Sequence, residues 1–229
     1  MSYPNIRRST NTADAFARRM QGNQQPLKES IKRLLDMFVS TLGLVALSPL
    51  LVGLCFLVRL TMGTPVFFRQ ERAGLFGRPF RLLKFRTMGT IRDANGELLA
   101  DAERLTKLGK FLRRYSLDEL PQLWNIWVGD MSLVGPRPLL AKYVDCYSAE
   151  QARRLEVKPG LTGWAQICGR NALSWDERFK LDVWYVDHWN LLLDAKILCK
   201  TARRILQQEG ISSEGHATMP EFTGNQSVR

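Results

Sequence analysis

Asp118 and Glu119 stand side by side in Ser116-Leu117-Asp118-Glu119-Leu120-Pro121-Gln122, and Arg137 follows in Gly135-Pro136-Arg137-Pro138. Two adjacent carboxylates can do two kinds of chemistry. An aspartate can attack a phosphoryl group and form an acyl phosphate. A neighbouring acid can help hold a divalent cation, and Mg²⁺ suits the pair because it takes one or two carboxylates plus substrate phosphates. An arginine between two prolines has its backbone torsions restricted on both sides, which gives the held guanidinium that bidentate phosphate binding needs. Each feature also has a plain structural explanation. Ser116 and Glu119 have capping-box spacing, and first-turn acids suit the helix dipole. The arginine can be incidental to a surface turn.

The elements that must position these residues follow from pattern. Leu120, Leu123, Trp124 and Trp127 recur at helical spacing and predict a helix over 118–128 with one apolar face. Residues 66–68 are strand-like, 74–77 carry a turn signal, and 80–88 read as the returning strand. In that hairpin Lys84 and Arg86 alternate onto one face, with Leu83 and Phe85 on the other. Two cations on one face suit a phosphate, and equally a solvated strand. Residues 103–115 predict an amphipathic helix, with Leu105, Leu108, Phe111, Leu112 and Tyr115 as its stripe and Lys107, Lys110, Arg113 and Arg114 opposite. Such a helix packs on a core or lies in a membrane interface. Lys158-Pro159-Gly160-Leu161-Thr162-Gly163-Trp164 with Arg170 suits a binding loop or a structural turn. Further helices are expected over 149–155, from Trp175 through Tyr185, and over 194–206.

The chain has 229 residues, a net charge of +11 and a pI of about 9.9. One domain with a sizeable core is expected, and the charge implies an anionic partner. Cys55, Cys146, Cys168 and Cys199 are widely spaced without a C-x-x-C, so they read as reduced, buried thiols rather than a zinc or redox site. His188 and His216 are the only histidines, which disfavours a histidine triad or a His-rich metal site. Neither a phosphate-binding P-loop nor a dinucleotide fingerprint is present. A nucleic-acid binder would explain the charge, but no reading module accompanies it.

No charged residue occurs from Met37 to Val58. That length suffices for a membrane helix. Ser48-Pro49 interrupts it, because proline removes a backbone bond. Cations flank both ends: Lys28, Lys32 and Arg33 before, then Arg59, Arg69 and Arg72 after. A simple span would carry one cationic flank across the membrane, against the positive-inside rule. The expectation is a re-entrant helix-break-helix returning to the same face, with Ser48 capping the second half and Pro49 in its first turn. A true span and a buried core helix are the alternatives. The domain reading is a flexible basic arm over 1–25, one catalytic unit over 26–206 (re-entrant helix 26–62, cytosolic part 63–206) and a disordered tail over 207–229. The fold class is α+β and mainly helical: the re-entrant helix plus a compact cytosolic domain with a small β-hairpin.

In this order, the motifs resemble the bacterial sugar transferase family of monotopic polyprenyl-phosphate phosphoglycosyl transferases. The resemblance covers roughly 26–206. It rests on the apolar run with Ser48-Pro49, on Phe68-Arg69-Gln70-Glu71-Arg72-Ala73-Gly74, on Lys84-Phe85-Arg86-Thr87-Met88, on the acidic pair, on Gly129 through Pro138, and on Lys158 through Trp164. The chain looks like a minimal catalytic form, without the extra membrane bundle of larger members. The resemblance implies transfer of a phospho-sugar from a nucleotide-diphosphate sugar, usually a UDP-sugar, to undecaprenyl phosphate, giving a polyprenyl diphosphate sugar and UMP. It implies Asp118 as nucleophile of a covalent phospho-sugar intermediate, Glu119 as its partner, Mg²⁺ at Asp118 and Glu119, and Arg137 on phosphate. Arg72, Lys84, Arg86, Arg170, Asp176 and Asp182 are the further candidates for nucleotide and phosphate contacts. The place would be the cytoplasmic face of the bacterial inner membrane, among membrane lipids, at the first membrane step of exopolysaccharide, O-antigen or glycoconjugate synthesis. No nucleic-acid partner is implied, and a homo-oligomer is compatible with this reading. The competing reading is a basic, membrane-attached scaffold or regulator whose acids only cap a helix.

Overall fold

The computed structural model describes residues 26–93, 95–169 and 173–207, together with Phe222 and Gly224. The basic arm, nearly all of the expected tail, and Arg170 lie outside the described residues.

Helix α1 (Pro26–Ala46) and helix α2 (Ser48–Met62) carry the apolar run. They meet at Leu47 with a 63° bend. Among the described residues no single helix is long and apolar enough to cross a membrane, although the bent pair passes that test together. The break is where the sequence places it, but Ser48 does not cap. Leu47 is the N-cap residue and makes no side-chain cap bond. The Ser48 hydroxyl instead donates to the Val45 carbonyl at 2.7 Å. That carbonyl would otherwise accept from residue 49, and Pro49 has no N–H to give. The serine thus supplies the donor that the proline removes.

The first half of α1 is tied to the body of the protein. Lys32 pairs with Asp194. The Arg33 guanidinium donates to the carbonyls of Ile126 at 2.6 Å and Trp127 at 2.7 Å. Asp36 is buried and accepts from the Leu133 N–H at 3.0 Å. Beyond this, Phe38, Leu42, Val45, Val52, Phe56 and Leu60 are exposed. On α2 only Leu54 and Val58 are buried, against Phe85 and Leu112.

Strands β1 (Phe67–Ala73) and β2 (Pro79–Phe85) form the predicted antiparallel hairpin, Phe68 opposite Lys84 and Arg72 opposite Phe80. The turn is a short 3₁₀ segment, Leu75–Gly77, in which Phe76 and Gly77 both have positive φ. The expected 103–115 helix is two pieces, α3 (Asp101–Arg104) and α4 (Lys107–Arg114). Leu105 leaves the helix to bridge Met88, and Thr106 caps α4 by accepting from Gly109 N–H. Gly109 packs so closely on Thr87 that a Cβ would meet its carbonyl oxygen at 1.9 Å. Leu112 is fully buried, but Phe111 is half exposed and stands off the predicted stripe.

The acidic pair lies in a 3₁₀ turn, Leu117–Glu119, ahead of helix α5 (Gln122–Val128). The single 118–128 helix and its capping box are corrected here. Ser116 is left-handed at φ 55 and makes no side-chain cap bond, and its N–H already donates to the Arg113 carbonyl. The apolar face of α5 is corrected too. Leu123 and Ile126 are buried, while Trp124 and Trp127 stack on each other at the surface. Strand β3 (Ser132–Val134) pairs in parallel with β4 (Gly160–Thr162), so the glycine-rich 158–163 segment is a structural partner of the Arg137 turn. Helices α6 (Ala149–Ala152), α7 (Trp164–Cys168), α8 (Trp175–His188) and α9 (Leu191–Gln207) complete the fold. The main core joins Leu82, Ile126, Met131, Val134, Tyr185 and Ile197. The thiols are not buried as expected: Cys146, Cys168 and Cys199 are exposed and Cys55 is intermediate, and all four are free. His188 is exposed and stacks on Trp184.

Candidate active site

A cleft of about 1560 Å³ opens between the hairpin, the acidic turn, the Arg137 turn and α8. Asp118 lines it and is 7% exposed. Three elements set the pair. The Arg113 guanidinium anchors the end of α4 through Thr87 at 3.1 Å. Buried Asn125 fastens α5 to β2 by accepting from Leu83 N–H at 3.0 Å and donating to the Arg81 carbonyl at 2.9 Å. The 3₁₀ turn then presents both acids toward β2.

The two carboxylates are treated differently. Glu119 Oε1 accepts from Lys84 Nζ at 2.6 Å and from Arg137 at 2.7 Å. Burial alone would raise its pKa, but the charges and hydrogen bonds of Arg137 and Lys84 hold it well below the usual carboxylate range. Asp118 has no hydrogen-bond donor in reach among the described residues, and Lys84 Nζ is 3.9 Å from its Oδ2. Burial pushes its pKa up to about 6, against the pull of Lys84 and with a further push from Glu119. Glu119 is thus a fixed anion between two cations, and Asp118 beside it accepts no hydrogen bond and feels Lys84 only at 3.9 Å.

Arg137 is aimed by its backbone. Gly135 N–H donates to the Thr162 carbonyl and Gly160 N–H to the Pro136 carbonyl, both at 2.9 Å. A Cβ on Gly135 would meet the Lys158 carbonyl oxygen at 2.3 Å, so the close approach requires glycine there. Arg154, 2% exposed, donates to the Arg137 carbonyl at 2.7 Å and to Asp182 at 3.0 and 2.8 Å.

The other sequence candidates separate. Arg72 lines the cleft, donates to Gln70 at 2.5 Å and to the Pro138 carbonyl at 3.3 Å, and keeps a buried Nε without a partner. Burial and the charge of Arg137 lower its pKa to about 10. Lys84 faces the acids. Arg86 does not share that role, because its guanidinium binds the carbonyls of Thr64 and Met88 and staples the strand end. Asp182 is consumed by Arg154. Asp176 is exposed in the first turn of α8 and does not line the cleft. The sequence reading missed Arg154, Arg178 and Asn125. Arg178 lines the cleft, with its guanidinium 5.4 Å from the Trp175 ring centroid. One signal pointed to it: Ser174 and Glu177 form a capping box that starts α8 and puts Arg178 and Asp182 on its inner face, four residues apart.

The donor set fits Mg²⁺. Asp118 accepts no hydrogen bond and meets Lys84 only at 3.9 Å through Oδ2, and Glu119 has both its bonds on Oε1. Among the described residues no group of three or more His, Cys, Asp or Glu side chains is arranged for a metal. Two carboxylates completed by water and phosphate oxygens are what this ion accepts.

Comparison with known proteins gives a consistent answer. Residues 27–208 match the family described as bacterial sugar transferase. The chain is 54% identical over 198 residues to "Uncharacterized sugar transferase EpsL" of Bacillus subtilis, covering 86% of this chain and 98% of that protein. It is 40% identical over 190 residues to the "UDP-glucose:undecaprenyl-phosphate glucose-1-phosphate transferase" of Xanthomonas campestris pv. campestris, covering 78% of this chain and 39% of that one. It is 39% identical over 197 residues to the "Undecaprenyl-phosphate galactose phosphotransferase" of Salmonella typhimurium, covering 79% and 41%. The chain thus spans about two-fifths of those two longer relatives and nearly all of the Bacillus one. With four-fifths of its length inside the family match and the acidic pair at the floor of its cleft, the chain belongs to the bacterial sugar transferase family, a family of enzymes rather than of scaffolds.

Proposed function

We propose that this chain transfers a phospho-sugar from a UDP-sugar to undecaprenyl phosphate through a covalent intermediate on Asp118. The observation that carries this reading is the asymmetry of the pair: Glu119 is bonded by Lys84 and Arg137, while Asp118 is buried in the same cleft with no hydrogen bond of its own. A carboxylate that accepts no hydrogen bond is the better nucleophile of the two. The names of the Xanthomonas and Salmonella relatives support the substrate class.

In this mechanism Arg137, Lys84 and Arg72 draw the diphosphate into the cleft and spread its charge. An Asp118 oxygen attacks the phosphorus that bears the sugar. The bond from that phosphorus to the bridging oxygen breaks, and UMP leaves with the electron pair. An oxygen of undecaprenyl phosphate then attacks the same phosphorus, the Asp118–phosphorus bond breaks, and the carboxylate returns. Mg²⁺ held by Asp118 and Glu119 would neutralise phosphate charge in both steps. Positioning and charge neutralisation provide most of the acceleration in such transfers. A covalent intermediate lets two bulky substrates use one cleft in turn.

The bent α1–α2 pair would lie re-entrant in the cytoplasmic leaflet. Its exposed apolar residues and the tying of the α1 start to the catalytic body support this. Tags at both ends of the chain would then be reached from the cytoplasmic side alone; a tag labelled from the periplasm refutes it.

The test of the reaction is intact-mass spectrometry of purified protein with Mg²⁺ and a panel of UDP-sugars, without lipid acceptor. A phospho-sugar adduct and UMP are expected on wild type and absent from Asp118→Asn. UMP release that requires undecaprenyl phosphate, with no adduct, would replace the covalent route by direct attack in a ternary complex.

A further inference from the structure

We propose that Phe222, a residue beyond the family-matched segment, is a positioning residue for the nucleotide side of the cleft. The inference rests on the proposed UDP-sugar chemistry for its ligand class and on the following geometry for its site.

The family match ends at residue 208. Phe222 is nevertheless only 6% exposed. Its ring centroid is 5.1 Å from that of Phe179, 5.5 Å from Trp175, 5.8 Å from Tyr143 and 6.0 Å from Tyr147. Two of these contacts are edge-on, the arrangement in which ring edges meet ring faces favourably. The five rings with Leu139 make a cluster of their own. Phe222 is thus the inner packing of a cage whose other members all come from the family segment.

The outer side of that cage is the cleft wall. Tyr143 and Trp175 line the cleft, and so does Arg178, whose guanidinium lies over Trp175. The cage also backs Arg154, 5.7 Å from the Phe179 ring centroid, and Arg154 holds the Arg137 backbone. Its place in the cleft gives it the nucleotide. The opposite side, around Asp118, packs against the α2 cluster through Leu117 and Leu120, which under the proposed membrane placement is the side of the lipid acceptor. No α2 residue reaches the Phe222 cluster. Removing the Phe222 ring takes away one of three ring contacts of Trp175, the others being Phe179 and Tyr143, so Trp175 and the Arg178 guanidinium over it lose part of their support. A site held by stacked rings loses affinity when the stack loosens, before it loses its chemistry.

The docking itself has a test that needs no substrate. A Cβ on Gly224 would lie 3.8 Å from Cys146 Cβ, the separation found across disulfides. Gly224 has φ 87, which strains a cysteine there, and Gly224→Cys is still close enough to form a disulfide with native Cys146 in the full-length protein under mild oxidation, read by intact mass and peptide mapping. Adding Phe222→Ala should slow that bond by about tenfold, the worth of one good aromatic contact. For the function, UDP affinity is measured by calorimetry, with kcat and KM for UMP release beside it. Phe222→Ala should weaken UDP binding and raise donor KM by about tenfold, leaving kcat within about threefold, and Phe222→Tyr should restore both. A disulfide that forms no more slowly in the Phe222→Ala background, or unchanged UDP affinity in Phe222→Ala, overturns the proposal. So does a loss confined to kcat, or one that Phe222→Tyr does not restore. A wild-type protein that binds UDP but releases no UMP overturns the transfer reading alone; one that does not bind UDP overturns both.

Discussion

Asp118 and Asp182 are both buried aspartates on the wall of the same cleft, 7% and 2% exposed, and the protein treats them in opposite ways. Asp182 accepts two bonds from Arg154, a charge buried with it, and the pair is spent on holding the Arg137 backbone. Asp118 accepts none, and its nearest cation is turned toward Glu119. An unpaired buried carboxylate costs stability. The fold hydrogen-bonds one aspartate to a buried arginine and leaves the other with only a 3.9 Å approach of Lys84, which is the contrast the proposed chemistry at Asp118 uses. Exposure and residue type do not separate the two; the partners do.

The largest effect expected from this contrast is on activity. Asp118→Asn should lower UMP release by at least about 10³-fold, as removal of a nucleophile does, with no loss of melting temperature. Residual activity above a tenth of wild type would break the contrast outright. Asp182→Asn should do the reverse. It leaves the Arg154 charge buried and unpaired, a loss of about 3–5 kcal/mol, or about 10 °C in melting temperature for a chain of this size. If Asp182→Asn melts like wild type but binds UDP weakly, Asp182 is a substrate contact, as the sequence suggested.

A smaller effect is in pH. The folded-state pKa of Asp118 is raised to about 6, against about 3.9 for a free aspartate. The folded protein therefore holds this proton more tightly than the unfolded chain. The stability it contributes is present below about pH 4 and is lost as pH rises through 6, by about 2–3 kcal/mol in all. Melting curves in chelator from pH 4 to 7.5 should show this fall in wild type relative to Asp118→Asn, and parallel curves would remove the burial argument. The smallest effect sharpens the role of Lys84. Its charge is the strongest influence lowering the Asp118 pKa, so Lys84→Met should move that transition to higher pH. A transition that stays in place would mean the lysine serves Glu119 alone.

Much of the site was legible in the chain. Asp118, Glu119, Lys84 and Arg137 were singled out by type and spacing and Arg72 by the family resemblance, and all five line one cleft. Arg86, singled out by the strand alternation, and Asp182, by the resemblance, turned out to hold backbone and arginine. Charge patterning says that a residue is ionic and leaves open what it faces. Arg154 and Arg178 were passed over because an arginine among other charged residues looks like a solvated one.

The sequence by itself determined the helix break at Ser48-Pro49, the hairpin, and the adjacency of two carboxylates to a proline-locked arginine turn. Those are local: a missing N–H, a period of two, a chain spacing. Only the folded chain shows that Ser116 is left-handed rather than a cap, that the glycines near 160 are a strand supporting Arg137, that Asp118 accepts no hydrogen bond while Asp182 accepts two, and that a phenylalanine at 222 closes a cage begun at Tyr143. All but the Ser116 turn depend on which groups meet across more than twenty residues of chain, and no local pattern encodes the partner that burial selects.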